Sequence, residues 1–132
     1  MTIRSYQDLE VWKKSVRLVK TSYDLAINFP SNVRYGLVSQ IQRCAVSVPA
    51  NIAEGRGRSS KKEFLYFLKI AAGSLAELET HFFIAMEIGY LTPECCQPFF
   101  DGSAEIGRML NGLMNSLRVK TLEPGTRNLE PV

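Results

Sequence analysis

Residues 55–62 read GRGRSSKK, which puts Arg56, Arg58, Lys61 and Lys62 within eight positions. Glycines and cations so close together suit a phosphate, because small residues let the backbone approach an anion that the cations neutralise. The stretch lacks the GxxxxGK[ST] pattern and follows a helical segment rather than a strand, so it does not form a nucleotide P-loop. It reads instead as a basic loop ahead of a helix N-terminus, suited to the phosphates of a nucleic-acid backbone or merely to water.

Other chemistry is thinly represented. His81 is the single histidine, set among aromatic and aliphatic residues, and reads as structural. The three cysteines are Cys44 and the adjacent pair Cys95-Cys96, with no CxxC, so no metal-ligand set and no cofactor is expected. An odd number of thiols without zinc spacing points to reduced cysteines in a cytoplasm. Glu77 and Glu79 stand two residues apart, about 200° around a helix, and cannot act as an acid/base dyad on one face. One of them is placed to meet Arg43 across the fold. No catalytic residue, small-molecule substrate or enzyme activity is expected.

The elements that must carry these residues are helices. Leu9, Trp12, Val16, Val19, Tyr23 and Ala26 recur at alternating steps of three and four, the apolar stripe of an amphipathic helix. Ser5 or Asp8 marks its start and Pro30 its end. Lys13, Lys14, Arg17 and Lys20 occupy its opposite side, which is therefore basic.

A second helix is expected from a cap at Ser31, through Leu37, Ile41, Cys44 or Ala45, Val48 and Ile52, to a glycine C-cap at Gly55. Its stripe continues in register past Pro49, which predicts one helix kinked at the proline rather than two. Beside that stripe runs a polar one: Gln40, Arg43, Ser47, Asn51, Glu54 and Arg58. Solvated faces favour Lys and Glu over Asn and Ser. The stripe therefore reads either as a solvated face or as a partly buried polar seam, within the bundle or between subunits, joined by Glu77 and Glu79.

Ser60-Lys61-Lys62-Glu63 forms a capping box. The helix that it opens carries Phe64, Leu68, Ala71, Leu75, Leu78, Phe82 and Ala85 on one side and ends at Gly89. Within it, the small residues Ala71 to Ser74 would let another backbone come close. Thr92-Pro93 starts a fourth helix with the stripe Ile106, Leu110, Leu113 and Leu117, which Pro98 and Gly102 threaten with a break near Gly102. No strand signal is present. The expected fold is all-α, an antiparallel up-down-up-down four-helix bundle over residues 1–120, with residues 121–132 a flexible tail.

At 132 residues, 45% apolar and 22% charged, the chain suits one soluble domain. Its longest apolar run, Phe82 to Met86, is too short to cross a membrane, and no secretory signal opens the sequence. The net charge of +3 is unevenly spread. Residues 1–69 carry +7 and residues 70–132 carry −4. Either the halves pair across the fold or a basic face awaits an anionic partner.

The block YGLVSQIQRCAVSVPANIAEGRGRSSKKEFLYFLKIAAGSLAELET, residues 35–80, resembles the bacterial four-helix-bundle family encoded in 23S rRNA intervening sequences. A relative of that family is the accessory variability protein of diversity-generating retroelements. The most specific parts are Gln40-x-x-Arg43, Ser47-x-Pro49-x-Asn51-Ile52-Ala53-Glu54-Gly55 and Gly73-Ser74-x-x-Glu77-x-Glu79, and the likeness spans about Leu9 to Leu117. It implies a ring of four-helix protomers, typically a homopentamer, that binds nucleic acid without enzyme activity. The chain departs from the family pattern at Val33, Cys44 and Arg56, where acidic, alanine and apolar or aromatic residues are common. Two partners stay open: RNA or DNA held by its backbone without sequence preference, or an acidic protein or reverse transcriptase docked on the basic face.

Overall fold

The computed structural model describes the backbone of residues 5–121 and the side chains of residues 5–118. It is all-helical, and no strand occurs among the described residues. The long helices are α1 (Glu10–Ala26), α2 (Ser39–Arg56), α3 (Lys61–Glu87) and α4 (Pro93–Thr121). Each packs on its neighbours in chain order, and α1 closes on α4, so the four form an antiparallel up-down-up-down ring of helices about one core. The tail expected from residue 121 onward lies, beyond Thr121, outside the described residues.

The starts of α3 and α4 follow local chemistry, whereas Ser5 caps a 3-10 turn at Tyr6–Asp8 and α1 begins after Leu9 without a side-chain cap. Ser60 Oγ accepts from the Glu63 backbone N–H at 3.1 Å, so Ser60 caps α3 as its spacing predicts, and the Glu63 carboxylate reaches back to the Ser60 hydroxyl, which donates to it at 3.2 Å. Thr92 Oγ1 accepts from the Cys95 N–H at 3.1 Å at the head of α4. Gly89, at φ +89°, turns the chain out of α3 in a left-handed conformation that only glycine adopts without strain.

Three expectations change, and the continuity of α4, open along the chain, is decided. Ser31 does not cap α2. Ser31–Val33 forms a 3-10 turn and Arg34–Val38 a π-helical turn, and α2 grows out of backbone that is already helical. Preceding carbonyls accept the bonds that a side-chain cap would otherwise supply. Gly55 is not the C-cap of α2; Gly57 is, and Gly55 lies buried two residues inside. α4 runs unbroken through Pro98 and Gly102, because Phe99 and Ile106 are fully buried and tertiary packing outweighs weak helix propensity. Phe99 stacks on Phe82 of α3 with ring centroids 4.3 Å apart.

The third change concerns α1. Its fully buried face is Val11, Ser15, Leu18, Ser22 and Ala26; of the expected stripe, Ala26 belongs to that face and Leu9, Trp12 and Val19 pack partly buried against the core. The two serines are tolerated there because each hydroxyl donates to a carbonyl of its own helix, Ser15 to Trp12 and Ser22 to Leu18, both at 2.8 Å. Val16 and Tyr23, 41% exposed each, are left outside, with Val19 half-buried between them. α2 is one helix from Ser39 to Arg56 with Pro49 inside it.

Candidate functional site

The antiparallel topology sets which cations meet. The start of α1, the end of α2 and the start of α3 lie at one end of the bundle. Arg56, Arg58, Lys61 and Lys62, which follow one another from α2 into α3, are therefore gathered there with the acids Glu54 and Glu63, whereas Lys14 lies beside Glu105 near the middle of α4. Lys20 sits about 9 Å further along α1 than Lys14, at 1.5 Å per residue, and lies outside that cluster as well. Arg17 is exposed over the groove between α1 and α4.

Several of the expected phosphate-binding cations already have partners. Lys13 pairs with Glu10 at 3.4 Å, Lys14 with Glu105 of α4 at 3.4 Å, and Lys20 with Asp24 at 2.7 Å. Arg58 pairs with Glu54 and lies over the Phe67 ring, 4.9 Å from its centroid. Arg56 is half-buried and engaged as well. Among the described residues, Arg17, Lys61 and Lys62 are exposed and have no acidic partner.

The polar stripe of α2 turns inward over part of its length. Ser47 Oγ lies 2.8 Å from Ser74 Oγ of α3, and Asn51 Nδ2 donates to Ser47 O at 2.8 Å and to Ser47 Oγ at 2.9 Å. These half-buried residues form a satisfied polar seam between α2 and α3. The approach of α3 is made at Ser74 and at fully buried Ala71, whereas Gly73 has nothing within 4 Å. Gln40, Arg43 and Glu54 stay exposed. Gln40, Arg43, Cys44, Ser47, Ser74 and Glu77 line a groove of about 270 Å³ over this seam.

Glu77 and Glu79 diverge as their spacing requires. Glu79 accepts from Ser103 Oγ of α4 at 2.6 Å, which ties α3 to α4. Glu77 faces the α2 side and comes 3.4 Å from His81 Nε2. The expected pairing with Arg43 is absent: the two share the groove, but Arg43 has no ion-pair partner among the described residues.

Sequence reasoning missed two features. His81 is 9% exposed, its Nδ1 has no hydrogen-bond partner among the described residues, and Cys44 of α2 stands beside it. One ligand atom each from Cys44, Glu77 and His81 lie within 4.8 Å of one another, a meeting that ligand spacing along the chain does not reveal. Burial, followed by the Glu77 charge, pushes the Cys44 thiol up to about 12. Burial also raises Cys96, to about 11, while a hydrogen bond from Thr92 lowers exposed Cys95. The second feature is an apolar strip on the outside of α1 and α2, made by Val16, Val19, Tyr23, Val46 and Pro49. The alternating stripe in α1 was its only signal.

No described helix is long and apolar enough to cross a membrane. A model of the 23S rRNA-intervening sequence protein family matches residues 7–112. A solved structure of a protein of unknown function from the S23 ribosomal protein family of Bacteroides thetaiotaomicron superposes with a TM-score of 0.70 at 25% identity, over 79% of this chain and 97% of that one. No curated protein matches.

Proposed function

This chain belongs to the family of 23S rRNA-intervening sequence proteins, and from that premise we propose that it is a non-enzymatic accessory that holds the phosphate backbone of RNA or DNA as a symmetric homo-oligomer. The observation that carries the reading is the gathering of cations at one end of the bundle. There Lys61 and Lys62, exposed and without an acidic partner among the described residues, follow Arg58 within four positions, and Lys13 and Lys14 of α1 are further contacts along the bundle. Cations outnumber acids at that end, and partners such as Glu54 and Glu10 can exchange for phosphate at little cost, because exposed ion pairs contribute under about 1 kcal/mol. Arg17 and Lys20 are subsidiary contacts.

Assembly is supported by the apolar strip of Val16, Val19, Tyr23, Val46 and Pro49, which a second copy of the chain would cover. A ring repeats the basic end once per subunit and turns weak phosphate contacts into avidity. Light scattering is expected to give a mass of about five protomers, the number that the family resemblance implies. Val16→Glu with Val46→Glu is expected to reduce it to one.

Filter binding to RNA and to duplex DNA across a salt series tests the reading. Affinity is expected to fall with a log–log slope of about −0.7 to −0.9 per phosphate contact. The triple variant Arg58→Ser, Lys61→Ser, Lys62→Ser is expected to lose about tenfold or more in affinity without loss of helicity. Absence of binding at low salt, or a triple variant that binds as wild type, overturns the nucleic-acid reading.

A further inference from the structure

The α2–α3 seam holds a second constellation, independent of the basic end. Glu77 and His81 are four residues apart on α3 and share one face, and Cys44 comes to them from α2. Their three ligand atoms lie within 4.8 Å of one another. Ligands around a tetrahedral ion with bonds of about 2.0–2.3 Å stand roughly 3.3–3.8 Å apart, so rotamer adjustments of about 1 Å would close the set.

Two of the three residues, Cys44 and His81, are buried. His81 Nδ1 has no hydrogen-bond partner among the described residues, and Nε2 stands 3.4 Å from the Glu77 carboxylate, so the ring is not tied to a backbone group and is left to present a nitrogen to an ion. Cys44 is buried, and its thiol has only a 3.6 Å contact with the Ile41 carbonyl. Glu77 is exposed and, with Cys44, lines the groove of about 270 Å³, which provides both an entry path and a place for a solvent ligand. Exposed Arg43 lines the same groove and has no ion-pair partner among the described residues, so its guanidinium can extend into solvent.

We propose that Cys44, Glu77 and His81 bind one divalent transition-metal ion of zinc's class between α2 and α3, with the fourth coordination position open to the groove. A thiolate and a carboxylate neutralise the dication, and an imidazole completes a sulfur, oxygen and nitrogen set that suits zinc or cobalt(II) and not magnesium or calcium. Binding releases the thiol proton to solvent, and no electron transfer is involved.

Cobalt(II) chloride, titrated into the reduced full-length protein without chelators, reads the site directly. A thiolate-to-cobalt charge-transfer band and the visible bands of tetrahedral cobalt are expected to saturate at about one equivalent per chain and to bleach when zinc is added. Cys44→Ala is expected to abolish the charge-transfer band, and Glu77→Gln to weaken cobalt binding about tenfold or more. The double variant Cys95→Ser, Cys96→Ser is expected to keep wild-type spectra. Zinc is expected to raise the melting temperature of wild type and not of Cys44→Ala, since an ion stabilises only the fold that holds it. Circular dichroism confirms that each variant is helical. Wild-type protein with no charge-transfer band, a band that persists in Cys44→Ala, or one lost with Cys95 and Cys96 overturns the assignment. Retention on RNA is a separate measurement, so this outcome and that of the basic end are read apart.

Discussion

The α2–α3 seam and the α1–α4 seam are built on different terms. Between α2 and α3 a line of small or polar residues, Gly55, Ser47, Ser74, Asn51 and Ala71, runs beside the apolar core. A Cβ on Gly55 would stand 2.7 Å from Phe67 Cβ, 3.0 Å from the Phe64 ring and 3.2 Å from the Phe64 carbonyl. Between α1 and α4 the facing residues are Leu18, Ile106 and Gly102, with the Lys14–Glu105 pair at the rim. A Cβ on Gly102 would meet only the end of the Leu18 side chain, at 3.3 Å. The first seam is closed by backbone proximity and fixed hydrogen bonds, the second by side chains that can turn. Rigid contacts leave a substitution nowhere to go, whereas flexible ones absorb it.

The largest expected break in that contrast is at the two glycines. Gly55→Leu should cost about 3 kcal/mol through overpacking, and Gly55→Ala about 1–2 kcal/mol even after the helix-propensity gain of alanine. Gly102→Ala should be neutral or stabilising by up to about 1 kcal/mol, because Leu18 can shift while the helix gains. Urea denaturation of the three variants measures both effects. Equal costs at Gly55 and Gly102 would erase the distinction between the seams.

A smaller effect is expected at the seam serines. Ser74→Ala should cost about 1 kcal/mol, and Ser47→Ala somewhat more, since Asn51 Nδ2 also loses one of its two acceptors. The Ser47→Ala, Ser74→Ala double variant should be less destabilised than the sum of the singles, because removing both hydroxyls leaves neither unpaired. Additive costs in a double-mutant cycle would show that the two hydroxyls are not coupled. The smallest effect belongs to the α1–α4 rim. Lys14→Ala should change stability by no more than about 0.5 kcal/mol, and raised salt should remove the difference.

Where the chemistry is local, it was legible along the chain. The Ser60 cap, the Thr92 cap, the Gly89 stop and the buried stripe of α3 each depend on residues within about four positions, and all stand where their spacing put them. A local rule fails where another backbone group does the same work. Ser31 is not needed as a cap because helical turns precede α2, and Gly55 is not a C-cap because α2 continues to Arg56.

The sequence by itself determined four amphipathic helices, their order, and the short turns that force neighbours antiparallel, because periodicity and capping are properties of consecutive residues. It did not determine which face of α1 turns inward. Two adjacent stripes compete there, and Ser15 and Ser22 pass as apolar only once their hydroxyls bond to their own helix. Nor did it bring Cys44 to Glu77 and His81, or Ser47 to Ser74, pairs separated by 27 to 37 positions along the chain. Those meetings depend on how far α2 slides along α3. Gly55, by admitting the Phe67 and Phe64 side chains against the α2 backbone, holds that register in three dimensions.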